Sequence, residues 1–314
     1  MSRAVPADAV RVADHNETLD EARARNIRDA LAEDIGTCDW TGLLVPAGRR
    51  VQARVIAREA AVLCGRDWFD GVLRALDPAA VLDWRVAEGA WMTPDATVVK
   101  IEADARALLA AERPALNFIQ TLSATATATR RHVDAAAGAS PLQGANGKGC
   151  AILDTRKTLP GLRQAQKYAV RTGGGQNQRL ALWHGILIKE NHITAAGGIP
   201  QVLAAARALD AGVDIQIEVE SIAQLHQALA GGATSVLLDN FDLPRMREAV
   251  AVNAAAARPA LLEVSGSVAL AQVRDIAATG VHRISIGRLS KDVQAVDFSM
   301  RVAAVDQAVD QAVD

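Results

Sequence analysis

Aromatic side chains make up only 3% of the chain, with a single tyrosine. Half of the residues are apolar all the same, so the core has to be built from alanine, valine, leucine and isoleucine. That composition suits helices packed closely on strands. Cysteine is nearly absent: Cys38, Cys64 and Cys150 are odd in number and show no paired metal-type spacing. This speaks against a disulfide framework or a zinc finger, makes each thiol a small buried apolar side chain, and points to a reducing cytosol. No stretch approaches the roughly 18 apolar residues of a membrane helix, and the first residues lack the apolar centre of a leader, so a cytoplasmic protein is expected. An excess of one charge is lacking too. A formal net charge of -2 argues against bulk binding to nucleic acid or a membrane surface, and any basic cluster is local and aimed at a small anion. A length of 314 residues leaves room for about two domains.

What is there centres on Asp154 to Arg163. The short apolar run Ala151-Ile152-Leu153 leads into it and an amphipathic helix follows. Arg156 and Lys157, flanked by Thr155 and Thr158, sit where a strand hands over to a helix, which is either an anion cradle or a solvated basic turn. Arg171, Arg179 and Lys189 follow in the next segments and favour the cradle.

Before that stretch, Leu19–Ile35 reads as a helix with N-cap chemistry at Asn16 to Thr18 and a stop at Gly36. Alternation predicts strands over Val51–Arg58, Ala61–Cys64, Val81–Val86 and Thr97–Ala103, with a helix near Trp68–Leu76. Glu112–Ala137 reads as one long helix, or a helix bent near its start at Pro114, a proline tolerable in the first turn. Gly138–Gly149 reads as a loop, and residues 305–314 as a low-complexity repeat without assigned function. From residue 151 the rhythm becomes strand, helix, strand, helix. The apolar runs begin at Ala151, Gly185, Ile215, Val236, Leu261 and Ile284. They end in Asp154, Lys189, Glu218 with Glu220, Asp239 with Asn240, Glu263 with Ser265, and Gly287. A charged or very small residue at nearly every strand end fits the C-terminal rim of an α/β barrel, here incomplete because about six strands are present rather than eight. The fold class expected is α/β: an N-terminal α/β sandwich over residues 1–121, with 292–314 packing on it, and an incomplete parallel barrel over 122–291.

The rim residues suggest chemistry. Arginine suits bidentate contact with carboxylate and lysine a point charge on phosphate, so Arg156, Lys157, Arg179 and Lys189 on one rim imply a strongly anionic substrate. Lys189 alone is open to three readings: a salt-bridged rim lysine, a phosphate or carboxylate ligand, or a Schiff-base lysine. Glu218 and Asp239 end successive strands and serve either Mg²⁺ and a sugar diol or the neutralisation of rim arginines; Glu220 shares the parity of Glu218. Ser265-Gly266-Ser267, with a helix expected near Val268, forms a phosphate nest completed by Gly287. Gly173-Gly174-Gly175 is a helix cap or a point of close backbone approach. His132 and His192 read as structural.

Several motifs together resemble the quinolinate phosphoribosyltransferase family. They are Glu112-Arg113-Pro114-Ala115-Leu116-Asn117, Asp154 to Arg163, Lys167-Tyr168-Ala169-Val170, Asn177-Gln178-Arg179 and Ile188-Lys189-Glu190-Asn191-His192. Glu218-Val219-Glu220, Leu238-Asp239-Asn240, Glu263-Val264-Ser265-Gly266 and Ile284-Ser285-Ile286-Gly287 complete the set. The resemblance implies decarboxylating transfer of phosphoribose to quinolinate, with Mg²⁺ accompanying phosphoribosyl pyrophosphate and no organic cofactor. It implies a homodimer, or a higher oligomer, with shared active sites, Arg113 reaching across the interface. By the same carry-over Arg113, Arg156, Arg179 and Lys189 hold the two carboxylates, with Gln178 beside them. Lys157 and Lys189 serve the pyrophosphate. Glu218 and Asp239 face the ribose hydroxyls and Mg²⁺, directly or through water, and Ser265, Gly266, Ser267 and Gly287 sit at the 5′-phosphate. Lys157, Lys189, Glu218 and Asp239 are the catalytic set. The chain departs from many relatives at Gln178, where they have His, at Ser267 and at Arg288. A Schiff-base lyase using Lys189, a non-catalytic sensor of pyridine diacids, and a phosphoribosyltransferase for another pyridine acid are the rival readings.

Overall fold

The structure, a computed structural model, describes residues 10, 12, 13, 15–141 and 149–304. The repeat at 305–314 and most of the loop after Gly138 lie outside the described residues. In chain order the elements are α1 (Leu19–Ile35), β1 (Arg50–Ala57), β2 (Ala61–Val62), α2 (Arg66–Leu76), β3 (Val81–Trp84), β4 (Trp91–Met92), β5 (Thr97–Asp104) and α3 (Ala105–Ala136). There follow β6 (Ala151–Leu153), α4 (Arg163–Thr172), β7 (Gly185–Ile188), α5 (Glu190–Ala195), α6 (Ile199–Ala208), β8 (Asp214–Val219) and α7 (Ile222–Ala230). The last are β9 (Ser235–Asp239), α8 (Leu243–Ala254), β10 (Leu261–Ser265), α9 (Val273–Ala277), β11 (Arg283–Ser285), α10 (Arg288–Lys291) and β12 (Phe298–Ala304). No helix among the described residues is long and apolar enough to cross a membrane.

The chain forms two compact units. One comprises residues 17–128, 159–173 and the segment from Asp292. Its antiparallel sheet has the order β12-β1-β5-β3, and β2 pairs separately with β4. Thr18 caps α1 in a reciprocal box with Glu21, and Gly36 ends it at φ +55°, as the sequence leads one to expect. The few aromatics are concentrated here. Trp68 and Phe69 are fully buried, with ring centroids 5.3 Å from Tyr168 and 5.4 Å from Trp84 respectively.

The long helix α3 starts at Ala105, seven residues ahead of the sequence expectation, because the Asp104 carboxylate accepts the N–H groups of Arg106 and Ala107 at 3.0 and 3.1 Å. Pro114 is therefore interior to the helix, not in its first turn, and its missing N–H costs the helix one bond. The rhythm of the sequence attached α4 to the barrel. In the structure it belongs to this first unit, tied there by Gln164 Nε2 to Glu17 O at 2.9 Å and by Tyr168 Oη to Glu88 at 3.0 Å.

Asp77 is a polar anchor of this unit. Its carboxylate accepts the N–H groups of Asp104 and Ala79 and pairs with Arg50. These bonds, the Asp104 N–H foremost, hold its pKa below the usual aspartate value. A lowered folded-state pKa contributes stability that is present above the unfolded value of about 4 and lost as pH falls through the folded one. Asp77→Ala is expected to cost about 2 kcal/mol at pH 7 and markedly less at pH 3. Urea denaturation at both pH values checks this; an equal cost at both would contradict it.

The other unit, residues 129–158 and 174–291 with the few described before 17, holds six parallel strands in the order β6-β11-β10-β9-β8-β7. Among the described residues β7 is one edge, and β6, the other, carries on its outer side an isolated bridge from Leu153 to Gln176 and no strand, so the barrel is open on that side. The register pairs Glu218 with Leu237, Leu237 with Glu263 and Asp239 with Ser265. Residues opposite one another in a sheet share a face. One face thus carries Ile217, Val219, Val236, Leu238, Leu262, Val264 and Ile284, all buried under the helices. The other carries Gln216, Glu218, Asp239, Glu263, Ser265 and Ser285, a polar lumen.

Candidate active site

The strand ends on this lumen hold most of the candidate residues. Lys189, one residue past β7, donates to both carboxylate oxygens of Glu218 at 2.9 and 3.2 Å. The Glu218 side chain is 9% exposed and that of Lys189 is 46% exposed, so the acid is fixed from below while the ammonium faces outward. Asp239 stands one step further up the same face, staggered from Glu218 rather than level with it, because Glu218 pairs with Leu237. Asn240, in the left-handed region at φ +56°, donates its amide to Asp239 at 2.8 Å. Glu220 does not share the lumen: it is exposed beyond the strand, and its N–H goes to Gln224.

The phosphate nest differs from expectation. Gly266 takes φ +142°, and a Cβ there would meet Asn240 Oδ1 at 2.8 Å, which makes glycine necessary. The helix anticipated near Val268 begins only at Val273, after a 3₁₀ turn over Leu270–Gln272. Ser267 is exposed on the intervening loop, so the helix N-terminus expected to follow it directly is not there. Gly287 lies between β11 and α10, and its ideal Cβ position is 3.2 Å from Lys157 Cδ and 3.5 Å from Thr155 Oγ1. Lys157 is anchored on that side: Thr155 Oγ1 accepts its N–H at 3.1 Å and its carbonyl accepts from Ser290 at 2.9 Å.

Arg156 and Arg179 follow two segments that are tied together: Asp154, two residues before Arg156, accepts the N–H of Gln178, the residue before Arg179, at 2.9 Å. The Arg179 pKa is lowered first by burial and then by the charge of Arg156, and Arg179 Nη1 donates to Gly185 O at 3.0 Å. Two arginines on segments tied in this way suit a pair of carboxylates. Gln178 turns its side-chain amide to Gln216, 3.0 Å away, and gives its N–H to Asp154. Arg113 is exposed on α3 of the other unit. Arg288 is exposed on α10. His192 accepts the Lys189 N–H through Nδ1 at 3.0 Å, a capping role in keeping with its structural reading. Gly174, at φ +90° just past the Gly173 cap of α4, makes the triple glycine a turn.

One neighbour escaped the sequence reading, Gln216; Asp154 and Glu263 read there only as charged strand ends, without a role. Glu263 is 1% exposed. Burial raises its pKa, against the Gln216 hydrogen bond, the Ser285 hydroxyl and the Arg283 charge. Its Oε1 has no hydrogen-bond partner. Gln216 precedes Glu218 by two residues, and that period-2 spacing was the available signal.

For a metal, the described residues include no cluster of three or more acidic, histidine or cysteine side chains. Staggered Glu218 and Asp239 match the one or two carboxylates by which Mg²⁺ is usually held when phosphates complete its shell.

Two family models match the chain: the N-terminal domain of quinolinate phosphoribosyl transferase over residues 37–123 and the C-terminal domain over 125–301. A carboxylating nicotinate-nucleotide pyrophosphorylase of Mycobacterium leprae is 38% identical over 287 residues, covering 89% of this chain and 97% of that protein. The human enzyme of the same name is 33% identical, covering 88% and 91%. The solved nicotinate-nucleotide pyrophosphorylase of Francisella tularensis superposes with a TM-score of 0.83 at 38% identity, covering 92% of this chain and 98% of that one. With both domain models matched in order and relatives of this identity spanning most of its length, the chain belongs to the quinolinate phosphoribosyltransferase family.

Proposed function

We propose that the protein transfers phosphoribose from phosphoribosyl pyrophosphate to quinolinate with decarboxylation, yielding nicotinate mononucleotide, pyrophosphate and CO₂, a step of NAD synthesis in the cytoplasm. The observation that carries this reading is the tie between the Arg156 and Arg179 segments, through Asp154 and the Gln178 N–H, in the unit whose lumen carries the Lys189–Glu218 pair. Vicinal carboxylates answer the first feature and a phosphorylated sugar the second.

Arg156 and Arg179 hold the diacid and orient its ring nitrogen toward the anomeric carbon. The nitrogen lone pair forms the new C–N bond as the bond from that carbon to the pyrophosphate oxygen breaks, the electron pair leaving with pyrophosphate. Lys157 and Lys189 receive the charge that develops on the leaving group. Glu218 and Asp239 take the ribose hydroxyls and steady positive charge on the sugar, and they are the residues that would hold Mg²⁺. The ion supplies neutralisation of pyrophosphate charge when bound. Alkylated nitrogen makes the ring an electron sink: the adjacent C–carboxylate bond breaks toward it, CO₂ leaves, and the ring carbon takes a proton. Positioning and electrostatics supply the rate. Arg113 completes the site from the second subunit of a homodimer, and Ser265, Gly266, Ser267 and Gly287 receive the 5′-phosphate.

Incubation with quinolinate, phosphoribosyl pyrophosphate and Mg²⁺ tests the reading. Nicotinate mononucleotide and CO₂ should appear in equal amounts; product from nicotinate without CO₂, or none at all, would overturn it. Gly287→Ala, by pushing its Cβ against Lys157, is expected to raise KM for phosphoribosyl pyrophosphate by about fivefold, a cost typical of a mild steric insertion. The melting temperature should hold. Steady-state kinetics check it, and an unchanged KM would remove Lys157 from that role.

A further inference from the structure

The barrel is open between β6 and β7, and the two arginines assigned to the diacid flank that opening, Arg156 just after β6 and Arg179 just before β7. No strand ladder fixes them relative to one another. A single residue stands in for the missing strand: Gln176 N–H donates to Ile152 O at 2.8 Å and Gln176 O accepts from Asp154 N at 3.3 Å. The following residues are held by side chains. Asp154 accepts the Asn177 amide at 2.6 Å and the Gln178 N–H at 2.9 Å. The Gln178 amide then reaches across to Gln216 Oε1 on β8, and Gln216 Nε2 donates to Glu263 Oε2 on β10 at 2.9 Å and lies 3.2 Å from Ser235 Oγ on β9. One amide thus joins three strands to the segment that spans the gap.

We propose that Gln216 is a positioning residue for diacid recognition: it holds Asn177 to Arg179 across the open side of the barrel so that Arg179 stays beside Arg156. The need is physical. Like charges in a partly desolvated place repel more strongly than in water, and a loop carrying one of them moves away unless tied. Gln216 is only 6% exposed, and both ends of its amide are bonded, so it transmits the order of the sheet without itself contacting substrate. The proposal rests on the reading of Arg156 and Arg179 as the diacid grip.

The test compares wild type with Gln216→Met, which keeps length and loses the hydrogen bonds. Gln216→Asn, which keeps the amide but shortens its reach to Gln178, serves should Gln216→Met fold poorly. Two ligands are used: quinolinate in turnover, and phthalate, a vicinal diacid without the reacting nitrogen, in calorimetry. The expected result is a rise of about tenfold in quinolinate KM and phthalate Kd, the worth of one well-placed buried hydrogen bond, with KM for phosphoribosyl pyrophosphate unchanged. In an Arg179→Ala background the same change should add almost nothing, because both act through one group. An equal shift in both substrates, no shift, or a full tenfold penalty without Arg179 overturns the proposal. Wild type that neither binds phthalate nor turns over quinolinate overturns the substrate reading and this proposal together. Active wild type with an indifferent Gln216→Met overturns this proposal alone.

Discussion

Arg156→Ala is expected to lower kcat/KM for quinolinate by about 10²- to 10³-fold, nearly all of it in diacid binding. Removing one partner of a desolvated charge pair leaves the other unpaired, at a typical cost of about 3–4 kcal/mol. The free enzyme should not suffer in proportion, since Arg156 already presses its charge on the half-buried Arg179 and its loss relieves that repulsion. The variant should therefore melt close to wild type while phthalate no longer titrates. Arg113→Ala should be as inactive in a homodimer with shared sites. Mixing the two inactive proteins, with subunit exchange verified, should then restore activity at those sites that receive both arginines. Unchanged quinolinate affinity in Arg156→Ala would remove the residue from the grip, and no recovery in exchanged mixtures would argue against sharing.

The rim was legible because each barrel strand is short and ends in a residue that cannot be mistaken for core: Lys189, Asp239 and Gly287 interrupt apolar runs. The helix α1 was legible from its caps, since Thr18, Glu21 and Gly36 are local chemistry. What escaped depended on neighbours distant in sequence. Gln216 lies inside a run that reads as a wholly buried strand, and only the register of β8, β9 and β10 puts it in one lumen with Glu263, which reads from the sequence as no more than a charged strand end. The early start of α3 hung on Asp104, a strand residue that doubles as the helix cap. Helix α4 followed a barrel strand in the rhythm of the chain, yet its bonds to Glu17 and Glu88, 147 and 80 residues away, decide its unit. The helix expected after Ser267 shrank to a turn and five residues, an instance of apolar spacing without a strong start signal.

Lys189→Ala carries the other large effect, a fall of about 10³-fold in kcat/KM, comparable to losing a principal electrostatic stabiliser of the transition state. Two losses combine. The leaving pyrophosphate and one substrate carboxylate lose a cation, and Glu218, with its side chain 9% exposed, becomes a buried carboxylate without its bidentate partner. The second loss is a stability effect and separates from the first: Lys189→Ala should melt below wild type, and adding Glu218→Gln should recover stability but not turnover. The environment also sets this lysine apart from a Schiff-base nucleophile, which needs an apolar pocket to shed its proton. Lys189 is instead half-exposed and bonded to both oxygens of a carboxylate. Borohydride added with a carbonyl compound should consequently leave the mass of the enzyme unchanged. A trapped adduct at Lys189, or a Lys189→Ala variant with near-normal turnover, would return the rim lysine to a different chemistry.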